Sequence, residues 1–293
     1  MIKLSNVLFI ASLFLIGCAR PVTNFSTSAT KTAVVEPVSF SNETQKAKTY
    51  LWDFGDGTTS TEFSPSHRFY SSGIYTVSLT AIDEAGKSAT KDKKVTITAP
   101  DRCLVLIETP LGNMVAEIFD STPLHQDNFV KLVEQQFYDS LLFHRVIAGF
   151  MLQGGDPESR GAAAKKMLGS GGPGYTIKAE FVDSLAHVKG ALAAARTNNP
   201  QKRSSGSQFY IVQGRDVSDQ ELTKKEGQED FRYPSHVRDA YGKSGGTPFL
   251  DQAYTVFGRV IEGLDIIDTI AEVSINSSNR PKEDVWMIIR LIR

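Results

Sequence analysis

The chain has 293 residues, 41% of them hydrophobic and 22% charged, with a formal net charge of -1. That length predicts about two domains and that composition excludes a disordered chain. The charge balance gives no general attraction to nucleic acid, and two cysteines, Cys18 and Cys103, exclude a disulfide scaffold.

Lys3 is followed by an apolar run from Val7 to Ile16. The run is too short for a comfortable membrane span of roughly 20 residues and reads as a signal-peptide core. It ends at Leu15-Ile16-Gly17-Cys18, which resembles the bacterial lipobox. The resemblance implies cleavage after residue 17 and lipid on Cys18, so the rest of the chain is expected to be held at a membrane in the cell envelope. Several acyl chains on one residue exceed the marginal grip of a single chain. Ala19 follows Cys18, with no aspartate to suggest inner-membrane retention, so a periplasm-facing outer-membrane location is expected. Residues 18–34, rich in Ser, Thr and Ala, read as a flexible tether.

From 35 to 99 the pattern is strand-like. Residues 76–82 and 95–97 alternate with period two, and Asp56-Gly57, Ser72-Gly73 and Ala85-Gly86 supply turns. Trp52-Asp53-Phe54-Gly55-Asp56-Gly57, then Pro65, His67, Phe69-Tyr70, Gly73 and Tyr75-Thr76-Val77, resemble the PKD domain. This implies an immunoglobulin-like β-sandwich. Trp52 and Phe54 would supply its core, and Asp53 and Asp56 would close turns rather than bind calcium, which needs about six oxygens or more. The sequence does not name a partner for this module. Ala99-Pro100-Asp101 reads as a linker.

From 102 to 293 the pattern changes. Residues 104–108 and 114–119 form a hairpin pattern. Thr122-Pro123 signals a helix start, with Phe129, Leu132 and Val133 on one face. A second helix is predicted around 264–273. Cys103 lies in an apolar run and reads as a buried, inert thiol.

Phe143-His144-Arg145, Gly149-Phe150-Met151-Leu152-Gln153-Gly154-Gly155-Asp156, Gly190 to Arg196, Ser205-Gly206-Ser207-Gln208-Phe209, and Phe249-Leu250-Asp251 follow one another in order. Together they resemble the cyclophilins over the whole of 102–293. The resemblance implies a closed eight-stranded antiparallel β-barrel capped by two helices. It also implies peptidyl-prolyl cis-trans isomerase activity on proline-containing polypeptides, with no cofactor and no metal. By resemblance, Arg145 is the catalytic residue and Gln153 holds it. Phe150, Met151, Phe209 and Leu250 line a proline pocket, with Phe249 and Tyr254 at its side. Ala195, Arg196 and Gln208 line the groove.

The chemistry suits an arginine. The peptide bond resists rotation by about 18–20 kcal/mol because its C–N bond has double-bond character. No covalent step is needed, only tighter binding of the twisted state than of either planar one. A twisted prolyl nitrogen becomes a hydrogen-bond acceptor, and a guanidinium is a permanent, rigid donor. His144 and the other histidines read as structural, since no proton moves.

Phe249 stands where cyclosporin-sensitive relatives often carry tryptophan, which implies weak cyclosporin binding. Tyr254 stands where many carry histidine. An insertion at about 215–248 is highly charged and reads as a solvated excursion, with Ser218 to Glu221 fitting a capping box. The alternative function for the chain is a cyclophilin-like binding scaffold or adhesive envelope protein with incidental catalysis.

Overall fold

A computed structural model describes residues 20–228 and 231–293. The signal segment and Cys18 lie outside the described residues. The chain divides into two compact units after Thr98.

The first unit is a β-sandwich. Its strands are β1 (Phe25–Thr27), β2 (Lys31–Ala33), β3 (Val38–Asn42), β4 (Thr49–Asp53), β5 (Thr59–Ser60), β6 (Ser66–His67), β7 (Gly73–Ile82) and β8 (Ser88–Thr98). One sheet runs β1-β3-β6 and the other β2-β8-β7-β4-β5. Only alternate residues of β7 and β8 reach the core: Val77, Leu79, Ala81, Val95 and Ile97 are buried. This is the period-two pattern of a sheet with one wet face.

The tether expected at 18–34 is corrected from residue 22 onward. Val22 bridges Gln45, and β1 and β2 pair with β3 and β8. The reason is Phe25, which is fully buried with its ring 5.0 Å from that of Trp52. One aromatic ring buried to this depth contributes about 1.5–3 kcal/mol. Val34 is buried as well, and the strand pairing with β3 and β8 adds to this hold.

Asp53 and Asp56 are turn residues. Asp53 accepts from the Gly55 amide at 2.8 Å; Asp56 accepts from the Thr58 amide at 3.0 Å and its hydroxyl at 2.6 Å. Gly55 has φ +79°, and a Cβ there would meet the Thr76 carbonyl at 2.7 Å. His67 stacks on Phe54 at 4.0 Å and lies 2.6 Å from Asp56.

The second unit is the barrel. It comprises β9 (Cys103–Thr109), β10 (Gly112–Ile118), α1 (Pro123–Glu134), β11 (Leu141–Leu142), β12 (Arg145–Ile147), β13 (Met151–Gly154), β14 (Thr176–Ile177), β15 (Ala191–Ala194), β16 (Ser204–Ser205), β17 (Phe209–Val212), α2 (Asp219–Gln228), α3 (Ser235–Ser244), β18 (Val256–Glu262), α4 (Leu264–Ala271) and β19 (Trp286–Ile292). The main sheet runs β11-β19-β9-β10-β18-β15-β17-β13-β12, antiparallel throughout. Its two edges, β11 and β12, are consecutive in the chain. Counted as one strand interrupted at Phe143-His144, they close eight strands into a ring. Closure leaves no free edge in the main sheet.

Inward residues fill the ring: Val105, Ile107, Met114, Val146, Leu152, Leu192, Phe209, Ile211 and Ile289 share one core. The helices α1, through Phe129, Leu132 and Val133, and α4, through Ile267 and Ile270, turn their apolar faces onto it. The start of α1 departs from expectation. The Thr122 hydroxyl donates back to the Phe119 carbonyl, and Glu180 accepts from the Leu124 and His125 amides at 3.1 and 3.0 Å. A distant carboxylate thus caps the helix and meets its positive end. Cys103 is half-buried, and burial, with Asp120 nearby, pushes its thiol pKa up.

The insertion is not the solvated excursion expected. Its helices α2 and α3 close over a small core of Leu222, Tyr233, Val237 and Tyr241 against Ala186 of the barrel domain. Ser218 accepts from the Glu221 amide at 3.2 Å, but the Glu221 carboxylate pairs with Arg215 rather than completing the capping box.

Burial alone would raise the Asp56 pKa, but hydrogen bonds from Thr58 and His67 outweigh it and hold the carboxyl below its ordinary value. A lowered folded-state pKa gives stability above the unfolded value of 3.8, lost as pH falls through the folded one. The substitution Asp56→Asn is expected to cost the sandwich about 1–2 kcal/mol at pH 7 and little in strong acid. Fluorescence of Trp52 during urea unfolding at both pH values measures it; an unchanged midpoint at pH 7 overturns it.

Candidate active site

Directly opposed residues of an antiparallel sheet share a face. Register places Arg145 opposite Gln153, Gln153 opposite Tyr210, Tyr210 opposite Ala193 and Ala193 opposite Val256. This row crosses five strands on the outside of the barrel. Its neighbours Val146, Leu152, Ile211 and Leu192 point inside. The β12–β13 connection turns at Gly149, whose φ of +72° suits glycine, and whose amide donates to Gln213 at 2.7 Å. The turn brings Phe150 and Met151 alongside the row.

The result is a cavity of about 120 Å³ lined by Arg145, Phe150, Met151, Gln153, Ala195, Arg196, Tyr210, Leu250 and Tyr254. Met151, Ala193, Ala195, Tyr210 and Leu250 form one apolar cluster beneath it. The polar side is a chain of amides. The Arg145 Nη1 donates to Gln153 Oε1 at 3.2 Å, Gln153 Nε2 to Gln208 Oε1 at 3.1 Å, and Gln208 Nε2 to the Gly171 carbonyl at 2.7 Å. Each amide is fixed by the next, so the guanidinium has one orientation. Arg196 lies over the Tyr254 ring at 4.7 Å and donates to the Ala253 carbonyl at 3.0 Å. A wider cavity of about 500 Å³ adjoins, sharing Gln153, Ala195 and Arg196 and floored by Gln208 and the glycine-rich segment from Gly169 to Gly174.

Of the expected residues, Arg145, Phe150, Met151, Gln153, Ala195, Arg196, Leu250 and Tyr254 meet at the cavity, and Gln208 stands beside it. Phe249 stands at the rim, 54% exposed, its ring 5.6 Å from that of Phe150. Phe209 is the correction. It is buried inside the barrel, 5.7 Å from Phe129 and 5.6 Å from Tyr138. Its neighbour Tyr210 takes the pocket position. The signal was period two: Gln208 faces the groove, so Tyr210 shares its side and Phe209 cannot.

A second cluster has the order of a nucleophile relay. Ser204 Oγ lies 2.9 Å from His125 Nε2, and His125 Nδ1 lies 2.6 Å from Glu180. Ser204 is 1% exposed, however, so no substrate reaches it. The cluster ties α1 to β16. No group of three or more His, Cys, Asp or Glu able to hold a metal is found among the described residues.

The site is thus an arginine beside a small apolar cavity on the outside of a closed barrel. The model of the cyclophilin type peptidyl-prolyl cis-trans isomerase/CLD family matches residues 104–291, and that of the PKD domain matches 18–99. A Staphylococcus epidermidis protein named "Putative peptidyl-prolyl cis-trans isomerase" is 37% identical over 182 residues, 62% of this chain and 87% of its own. A Staphylococcus aureus protein of the same printed name is 36% identical over the same shares. A solved Cryptosporidium parvum cyclophilin type peptidyl-prolyl cis-trans isomerase covers 65% of this chain and 97% of its own at 23% identity, with a TM-score of 0.49. The chain belongs to the cyclophilin-type peptidyl-prolyl cis-trans isomerases and carries an N-terminal PKD domain.

Burial pulls the His125 imidazole below its ordinary pKa of 6.5 against the opposing effect of Glu180, and pulls His144 the same way against Asp156. The unfolded chain therefore takes up these protons first. Their contribution to stability is present above about pH 6.5 and lost as pH falls through the lower folded values. The barrel is expected to melt several degrees lower at pH 5 than at pH 7.5, at roughly 2–4 °C per kcal/mol. Calorimetry at the two pH values checks this, and equal melting temperatures overturn it.

Proposed function

We propose that this prolyl isomerase acts on polypeptides of the bacterial cell envelope, held to a membrane by lipid on Cys18, with Arg145 as its catalytic residue. The observation that carries the catalytic reading is the Arg145 guanidinium, fixed through Gln153 and Gln208 at the wall of a small apolar cavity. The proline ring would occupy that cavity, against Phe150, Met151, Tyr210, Leu250 and Tyr254. Residues before the proline would lie along Ala195 and Arg196 toward the wider cavity.

The steps follow from the bond. In either planar form the prolyl nitrogen gives its lone pair to the carbonyl and accepts nothing. Twisting returns the pair to nitrogen, and Arg145 donates to it there. This interaction exists only in the twisted state, so it lowers the barrier instead of tightening substrate binding. Gln153 has a positioning part: without it the guanidinium would sample several orientations. The apolar walls bind planar and twisted forms alike and set affinity.

The envelope reading rests on the apolar run from Val7 to Ile16 and the Gly17-Cys18 pair. Among the described residues no helix is long and apolar enough to cross a membrane.

Arg145→Ala is expected to lower kcat/KM for a short X–Pro peptide by roughly 10²–10³, the usual loss for one transition-state donor, with circular dichroism unchanged. Equal rates for the two proteins would remove Arg145 from the mechanism. In bacteria grown with labelled fatty acid, the wild-type chain is expected to take up label and Cys18→Ala to take up none; equal labelling of the two would reject the anchor.

A further inference from the structure

Tyr210 lines the cavity, yet its Oη is 2.9 Å from the Nε2 of His187. Both residues are buried and their rings stack at 15°. His187 lies behind the pocket. Its amide and its Nδ1 both reach Asp251 Oδ1, at 2.9 and 2.6 Å. The other carboxylate oxygen, Oδ2, accepts from Tyr233 Oη and from Tyr241 Oη, each at 2.6 Å. Tyr233 and Tyr241 belong to the insertion, and Asp251 directly follows Leu250 of the pocket.

With Asp251 as a carboxylate and His187 as a neutral imidazole, the donors and acceptors fit in one way. An ionised Asp251 only accepts, so both tyrosines and His187 Nδ1 must donate to it. A neutral imidazole protonated at Nδ1 has its lone pair at Nε2. Tyr210 therefore donates to His187, and its hydroxyl proton points away from the cavity. This network of five side chains then has one consistent arrangement, and its far end is set by the insertion.

We propose that Tyr233 and Tyr241 are positioning residues for the proline pocket: through Asp251 and His187 they turn the Tyr210 hydroxyl away from substrate, so the pocket presents an apolar floor. Without their two donors, Asp251 Oδ2 is left without a hydrogen-bond partner and the carboxylate is free to turn away from His187. His187 is then no longer compelled to carry its proton on Nδ1. With the proton on Nε2, His187 becomes the donor to Tyr210, whose own proton must turn toward the cavity. The methylene carbons of a pyrrolidine ring offer it no acceptor there. The floor touches planar and twisted substrate alike, so the loss falls on KM and spares kcat. The inference rests on reading the cavity as the proline pocket.

The experiment measures kcat and KM for a short X–Pro peptide with the full soluble chain lacking residues 1–18. It compares the wild type with Tyr233→Phe/Tyr241→Phe, and then makes the same comparison in a Tyr210→Phe background against that background's own constants. Melting temperatures are taken for all four. KM is expected to rise roughly five- to tenfold, on the scale of one lost hydrogen bond, with kcat within about twofold. In the Tyr210→Phe background the rise should vanish while the drop in melting temperature persists. Should the double variant fail to fold, Tyr233→Phe alone carries the same test. An unchanged KM in a folded variant overturns the proposal. So does a rise that persists without the Tyr210 hydroxyl, because it would mark a merely structural effect. Failure of the pocket reading itself would show separately, as a wild-type rate indifferent to Arg145→Ala.

Discussion

The register of five antiparallel strands determines everything at the pocket. Arg145, Gln153, Tyr210, Ala193 and Val256 stand opposite one another on β12, β13, β17, β15 and β18. A slip of one residue between any two strands would send one part of the row into the barrel and bring Leu152 or Ile211 out. The interior prevents the slip. Leu152, Ile211, Leu192 and Phe209 are packed among other buried side chains, and a charged or amide group in their place would lose its solvation without partners. Packing inside the ring therefore sets the geometry outside it. The polar chain from Arg145 to Gly171 is already hydrogen-bonded from end to end in this structure.

Closure of the ring supports the same end. An open sheet can twist and splay at its edges, and the row lies against one such edge at β12. Here β11 and β12 are one stretch of chain, anchored on either side by the Phe143 amide to Val285 and the Val146 amide to Asn279, at 2.9 and 2.8 Å. The catalytic candidate sits at the seam, where the covalent chain itself does the closing. Arg145 can then be half-exposed for substrate and still fixed in direction.

Much of this was legible in the sequence. Arg145, Phe150, Met151, Gln153, Ala195, Arg196, Leu250 and Tyr254 sit in contiguous motifs, and the structure assembles them around one cavity. What was missed depends on signals that composition hides. Phe209 and Tyr210 are adjacent aromatics, and only strand parity tells which faces the groove. Phe25 is a lone aromatic in a Ser- and Thr-rich stretch, so the stretch reads as a tether until Trp52 is found against it. The insertion reads as solvated because its charges outnumber its apolar residues. Yet Leu222, Tyr233, Val237 and Tyr241 are spaced to meet only once α2 and α3 fold back on each other. Glu180 as the cap of α1 could not be foreseen, because 55 residues separate it from His125.

Two carboxylates of this domain share one property. Asp251 accepts from four donors, and Glu180 accepts from two helix amides and His125. In an enzyme that moves protons, such groups would be left partly unsatisfied, because a saturated carboxylate is a poor base. Here saturation carries no penalty for function. Rotation about a C–N bond transfers no proton, so no group needs a pKa near neutrality. Every buried titratable side chain is free to serve rigidity alone. This explains how Ser204, His125 and Glu180 can hold the spacing of a relay although Ser204 and His125 are buried. The arrangement is retained for its hydrogen bonds, and the same logic places His187 behind the pocket as a strut and not as a base. Acid then acts on this enzyme through its fold, by forcing protons onto buried imidazoles, and not through the chemistry of the turned bond.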